Sequence, residues 1–240
     1  ARLKQVGNED RTTADQIISA IGPDTLGIAY AAHLEDTEGT LPLSEVVSVA
    51  RDTGLYVLVD ASYQLYPLER TTELVQSGAD VVCFGAKYMG GPNSAGFLCG
   101  GKEIVHAASL NGFMAYETED VHSFGRGYKL DRQEGIATVL TLKDWLSMDH
   151  DARLRSQEKR FQVMQEAVSG LPHIRTEEGF YERYPSMEMK IFIDEAALGK
   201  TAVQIEDELK TGDPSIWVWR EDNALKLGVD CLYEGEEHIV

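Results

Sequence analysis

The chain has 240 residues, with 40 acidic against 22 basic side chains and a net charge of −18. Such a surface repels phosphate backbones and anionic lipid, which argues against broad nucleic-acid or membrane binding. Cys83, Cys99 and Cys231 show no CxxC spacing, so neither a disulfide framework nor a zinc site is expected, and a reducing, cytoplasmic setting fits best. No apolar run approaches the roughly 20 residues needed to span a bilayer. The opening ARLKQVGNED lacks the apolar segment of a signal peptide and begins without Met, and the closing EEHIV has no evident terminator. Both ends read as those of a fragment.

In chain order, TTADQIISAI predicts a helix capped by Thr12 or Thr13 and ended by Gly22-Pro23. TLGIAYAA predicts a short strand. LSEVVSVARDTG predicts a second helix, with Ser44 as cap and Gly54 as closure. LYVLVDA is a continuous apolar strand of the kind buried on both faces. TTELVQSGA predicts a third helix, DVVCFGA a third buried strand, GFLCG a fourth short strand, and KEIVHAASL the start of another helix. This alternation predicts an α/β fold, a mostly parallel sheet with helices on both faces. Ligands of such sheets bind beyond the carboxyl ends of the strands.

From Gln133 to about Leu171 the pattern is helical, as two helices or one bent one. After Pro172 it becomes α+β: strands in MEMKIFID, SIWVWRE and ALKLGVD, and a helix in VQIEDELKTG closed by Gly212. The expected domains are a large one over 1–171 and a small C-terminal α+β one over 172–240.

Two residues stand where ligands of such a sheet bind. Asp60 ends VLVDAS, and a buried carboxylate there requires a partner. A protonated pyridine nitrogen is one such partner; a helix N-cap or a hydrogen-bonded strand-end role is the alternative. Lys87 follows the next apolar strand, inside DVVCFGAKYMGGPNSAGFLCG. A partly desolvated lysine there can form a Schiff base; a solvated loop lysine is the alternative. Gly85, Gly90, Gly91 and Gly96 allow close backbone approach to a ligand. The six histidines show no HxxxH or HxH spacing, so no metal site is expected. Cys83 and Cys99 read as inert core residues, and Trp145, Trp217 and Trp219 as packing.

The segments VGNEDRTTADQIISAIGPDT, LSEVVSVARDTGLYVLVDASYQLYP, GADVVCFGAKYMGGPNSAGFLCG and GRGYKLDRQEGIATVLTLKDWLSMDHDA resemble one branch of the fold type I pyridoxal-phosphate enzymes. That branch includes bacterial selenocysteine synthase (L-seryl-tRNA selenium transferase) and D-glucosaminate-6-phosphate ammonia-lyase. The resemblance runs from Arg2 to about Leu154. It implies pyridoxal 5'-phosphate as cofactor, with Lys87 as the Schiff-base lysine and Asp60 on the pyridine nitrogen. It places Gln64, and more weakly Ser62, near the cofactor, and Arg126 and Lys129 near an anionic substrate group. Phe84 stands where relatives often carry a phosphate-binding serine. The implied function is α,β-elimination from an amino acid or amino sugar acid, with selenium transfer, transamination or aldol cleavage as alternatives. A non-catalytic protein of the same fold is the alternative from another class. The implied assembly is a homodimer or larger homo-oligomer with a shared site.

Overall fold

The computed structural model describes residues 2–8, 10–113, 115, 124–180 and 186–240. It divides into two compact units, 1–148 and 149–240. The division falls at Met148, not near Leu171 as the hydropathy pattern suggested. The helical stretch is two helices, Arg132–Ser147 (α5) and His150–Val168 (α6), and Asp149 caps the second by accepting from the Ala152 N–H at 2.8 Å. The second helix belongs to the second unit.

In the first unit, strands Gly27–Ala31 (β1), Tyr56–Asp60 (β2), Val81–Gly85 (β3) and Gly96–Gly100 (β4) form a sheet in the order β1-β2-β3-β4. The first three run parallel and β4 is antiparallel to β3. This agrees with the expected mostly parallel α/β arrangement. Helix Ala14–Ala20 (α1) precedes β1, Leu43–Thr53 (α2) and Leu68–Gln76 (α3) join the three parallel strands, and Lys102–Asn111 (α4) follows β4. Thr13 caps α1 in a reciprocal box with Gln16, and Gly54 closes α2 in the left-handed conformation. Ser44 is not the cap of α2. Its residue is already helical, and Glu35, from the loop after β1, accepts the Leu43 N–H at 3.1 Å instead.

The core lies on one face of this sheet. Val57, Val59, Val82 and Phe84 pack with Val46, Val47 and Ala50 of α2, Leu74 of α3 and Trp145 of α5. The Trp145 Nε1–H donates to the Leu65 carbonyl at 3.0 Å, tying α5 to the loop after β2. The opposite face differs from the expectation of strands buried on both sides. There Tyr56, Leu58 and Leu98 remain 57%, 43% and 44% exposed. Strand β2 therefore alternates exposed and buried positions, although its sequence is continuously apolar.

In the second unit, strands Ile174–Phe180 (β5), Met187–Ile193 (β6), Trp219–Glu221 (β7) and Ala224–Gly228 (β8) form an antiparallel sheet in the order β5-β6-β8-β7. Phe161 and Met164 of α6 and Ala202 of helix Ala202–Thr211 (α8) pack against Met189, Ile191 and Leu225 of this sheet. A one-turn helix, Glu195–Leu198 (α7), precedes α8. The expected strand over SIWVWRE shrinks to Trp219–Glu221, and Trp217 and Trp219 are exposed rather than packed.

Candidate active site

Parallel strands bring their carboxyl ends to one edge, and the side chains just past those ends share it. Strand β2 ends at Asp60 and pairs with β3 through Asp60 and Cys83. The Ala61 N–H donates to the Cys83 carbonyl at 3.0 Å, and the Gly85 N–H to the Ser62 carbonyl at 2.8 Å. These bonds fix the two strand-end loops to each other just before Lys87.

Asp60 is exposed, so it bears no burial penalty of the kind its apolar strand suggested. Its Oδ1 accepts the Ser62 N–H at 3.0 Å and the Ser62 hydroxyl. That orients the carboxylate, and no ion pair to it is found among the described residues. The Cys83 Sγ sits 3.9 Å from Oδ1 and 3.4 Å from the Val59 carbonyl. Burial first, and then the negative charge of Asp60, push the Cys83 thiol above its usual range.

Lys87 lies in a short 3-10 turn, Ala86–Met89, and is exposed. Its Nζ stands 4.8 Å from the centre of the Tyr88 ring, and among the described residues it has no carboxylate partner. Gly90, with φ 82°, closes the turn. The Gly91 N–H donates to the Ala86 carbonyl at 2.9 Å, and a Cβ at position 91 would lie 2.9 Å from that same oxygen. These two glycines are therefore required by the turn that presents Lys87, whatever the loop binds.

Gln64 is covered, where Asp60 and Lys87 are exposed. It is 1% exposed, and neither side-chain amide atom has a hydrogen-bond partner among the described residues. Phe84 is also buried and stacks on Phe97 at 5.2 Å, so this position presents nothing to a phosphate. Arg126, half-buried, and Lys129, exposed, flank the short turn Arg126–Tyr128, in the same unit. His33, Tyr63 and Tyr88 were not singled out from the sequence. They line the same edge, with ring centres 5.6 Å apart from His33 to Tyr63 and 5.6 Å from Tyr63 to Tyr88. Among the described residues, no group of three or more His, Cys, Asp or Glu is placed to hold a metal ion. No helix among them is long and apolar enough to cross a membrane.

A parallel-rich sheet with an acid at one strand end and a lysine after the next has the architecture of the fold type I, aspartate-aminotransferase-like, large domain. The chain belongs to the aminotransferase class-V family, whose model matches residues 2–175. Members of this family use pyridoxal phosphate. The chain is 26% identical over its whole length to a Streptomyces 5'-C-glycyluridine monooxygenase-decarboxylase, of which it covers 58%. It is 30% identical over 59% of its length to the L-seryl-tRNA(Sec) selenium transferase of Rhizobium meliloti (strain 1021), covering 31% of that protein. The solved structure of D-glucosaminate-6-phosphate ammonia-lyase superposes with a TM-score of 0.78 at 22% identity, over 99% of this chain and 61% of that one. The chain thus spans about three-fifths or less of the relatives it matches.

The residues present can be tested against the family's cofactor. An exposed carboxylate without a cation and an exposed ammonium without an anion, on adjacent parallel strands, fit its ring nitrogen and its aldehyde. Its phosphate finds no donor at position 84.

Proposed function

We propose that this chain carries the lysine-bearing part of a pyridoxal-phosphate enzyme acting at the α-carbon of a small anionic amino substrate. The observation that carries this reading is the pair of exposed, unpaired charges, Asp60 and Lys87, at one strand edge.

When bound, pyridoxal phosphate supplies an electron sink for negative charge developing at the substrate's α-carbon. Asp60, oriented by Ser62, would hold the proton on the ring nitrogen that makes the sink effective. Lys87 would hold the cofactor covalently, and its amine would serve as the base that takes the substrate's α-proton. Its exposure at the end of a glycine-closed turn lets the amine move between those two roles. Gln64, covered as it is, acts in this reading by supporting the loop after Asp60. Arg126 and Lys129 supply positive charge for the substrate's carboxylate or phosphate. The preferred reaction is α,β-elimination, of ammonia-lyase type; selenium transfer, transamination and a non-catalytic role remain the alternatives.

One observation favours a second reading, loss of the α-carboxylate. The relative aligned over the whole chain is named a decarboxylase, whereas the alignment to the selenium transferase stops at 59% of the chain. Both reactions need the same early work from Asp60 and Lys87. The proposed assembly is a homodimer or larger homo-oligomer, supported by the uncovered sheet face.

The test is to add pyridoxal phosphate, reduce with borohydride and map the labelled peptide. The label is expected on Lys87. A label on another lysine, or none, overturns the assignment.

A further inference from the structure

Each of the three parallel strands is followed, two or three residues past its end, by an aromatic ring: His33 after β1, Tyr63 after β2 and Tyr88 after β3. Neighbouring strands lie about 4.8 Å apart, so rings at matching offsets fall into a row. They do so here, with successive centres 5.6 Å and 5.6 Å apart and planes tilted by 36° and 56°. Both separations lie within the range of favourable ring pairs. The row ends on the Lys87 ammonium, 4.8 Å from the Tyr88 ring centre. Its other end, His33, is exposed, while Tyr63 and Tyr88 are half-buried. The row spans two strand gaps, roughly 10 Å. That is enough to place the amine of an extended substrate at Lys87 and a ring it carries against His33 and Tyr63.

We infer that this strip is a stacking surface that selects amino substrates bearing a planar heteroaromatic ring, of the kind found in a pyrimidine nucleoside. The inference rests on the Lys87 site proposed above and names its substrate class. Stacking tolerates many ring types, because each presents a π-face, and a histidine or tyrosine face contributes enough per ring to discriminate. A substrate built on an open chain or a sugar gains less from the row, because it has no π-face of its own. Arg126 and Lys129 can hold the same substrate's anionic group, so ring and charge are read by different residues.

The test uses the purified protein and two probes, 5'-amino-5'-deoxyuridine and methyl 5-amino-5-deoxy-β-D-ribofuranoside, which lacks the heteroaromatic ring. Calorimetry measures the affinity of both for the parent, His33→Ala and Tyr63→Leu. The uridine amine is expected to bind about tenfold tighter than the ribofuranoside amine, and either substitution to bring the two to within about twofold. His33 is exposed, so its removal leaves the core intact, and circular dichroism checks this. Equal binding of both probes to the parent, or equal loss of both in the variants, overturns the stacking role. Borohydride trapping on Lys87 is run on the same preparations. Trapping without ring discrimination defeats the strip and leaves Lys87 standing. Ring discrimination without trapping leaves the strip standing and defeats the Lys87 assignment.

Discussion

The two sheets treat charge in opposite ways. In the antiparallel sheet of the second unit, Lys190 meets Glu221 at 3.0 Å, Lys226 meets Glu188 at 3.2 Å, and Arg220 meets Glu206 at 2.9 Å. These are cross-strand or strand-to-helix pairs on a solvated surface, each worth little. In the parallel sheet, Asp60 and Lys87 stand close in the topology, and neither is ion-paired among the described residues. The antiparallel sheet thus holds these charges in pairs, whereas Asp60 and Lys87 stay open at the edge proposed above as the ligand site.

The largest effect expected from breaking this contrast is at Lys87. Lys87→Ala should abolish borohydride-trapped pyridoxal and lower turnover by at least the roughly 10²–10⁴-fold of a lost proton-transfer group. Retained labelling at another lysine in that variant would place the chemistry elsewhere. Phe161→Ala, in the core of the second unit, should cost about 3–5 kcal/mol of stability there. Its Lys87 labelling should persist at a temperature where that unit remains folded. Loss of labelling under those conditions would show that the two regions are not separable in function.

A smaller effect reads the charge of Asp60 directly. Because Asp60 helps hold the Cys83 thiol above its usual range, Asp60→Asn should increase thiolate at a fixed pH and speed alkylation of Cys83 by iodoacetamide. Cys99, raised by burial alone, is the internal control. An unchanged Cys83 rate would mean that the carboxylate does not act on the thiol. The smallest effect is at Glu221, whose carboxyl is held below its ordinary 4.5 by its hydrogen bond to Lys190 and then by the charges of Lys190 and Lys226. A lowered value in the folded state stabilises above the ordinary value and loses that contribution as pH falls through the folded one. The stability difference between parent and Glu221→Gln should therefore be present at neutral pH and close below 4.5; a difference that persists there would rule out the ion pair as its source.

Much of the first unit was legible because its signals are local. Strands β2, β3 and β4 are short apolar runs bounded by glycine or polar residues, and Asp60 and Lys87 end two of them in the sequence itself. What stayed hidden depends on residues far apart in the chain. Glu35 caps α2 from the preceding loop, where Ser44 looked sufficient. The row of His33, Tyr63 and Tyr88 exists only once three strands are in parallel register, and no spacing in the sequence joins its members. Gln64 lies four residues past the exposed Asp60 yet is covered in space. The strand Ile174–Phe180 was missed because IRTEEGF has few apolar positions, and its pairing with β6 supplies what its pattern lacks. The Ser147-Met148-Asp149 break was readable in retrospect, since an aspartate capping a new helix is a local signal.

The uncovered face with Tyr56, Leu58 and Leu98 has a colloidal consequence. At neutral pH the surplus of acidic side chains makes copies of the chain repel one another, so any pairing through that apolar face works against charge. Near pH 4.7, where the net charge vanishes, nothing long-ranged opposes the meeting of two such faces, and the chain should be least soluble there.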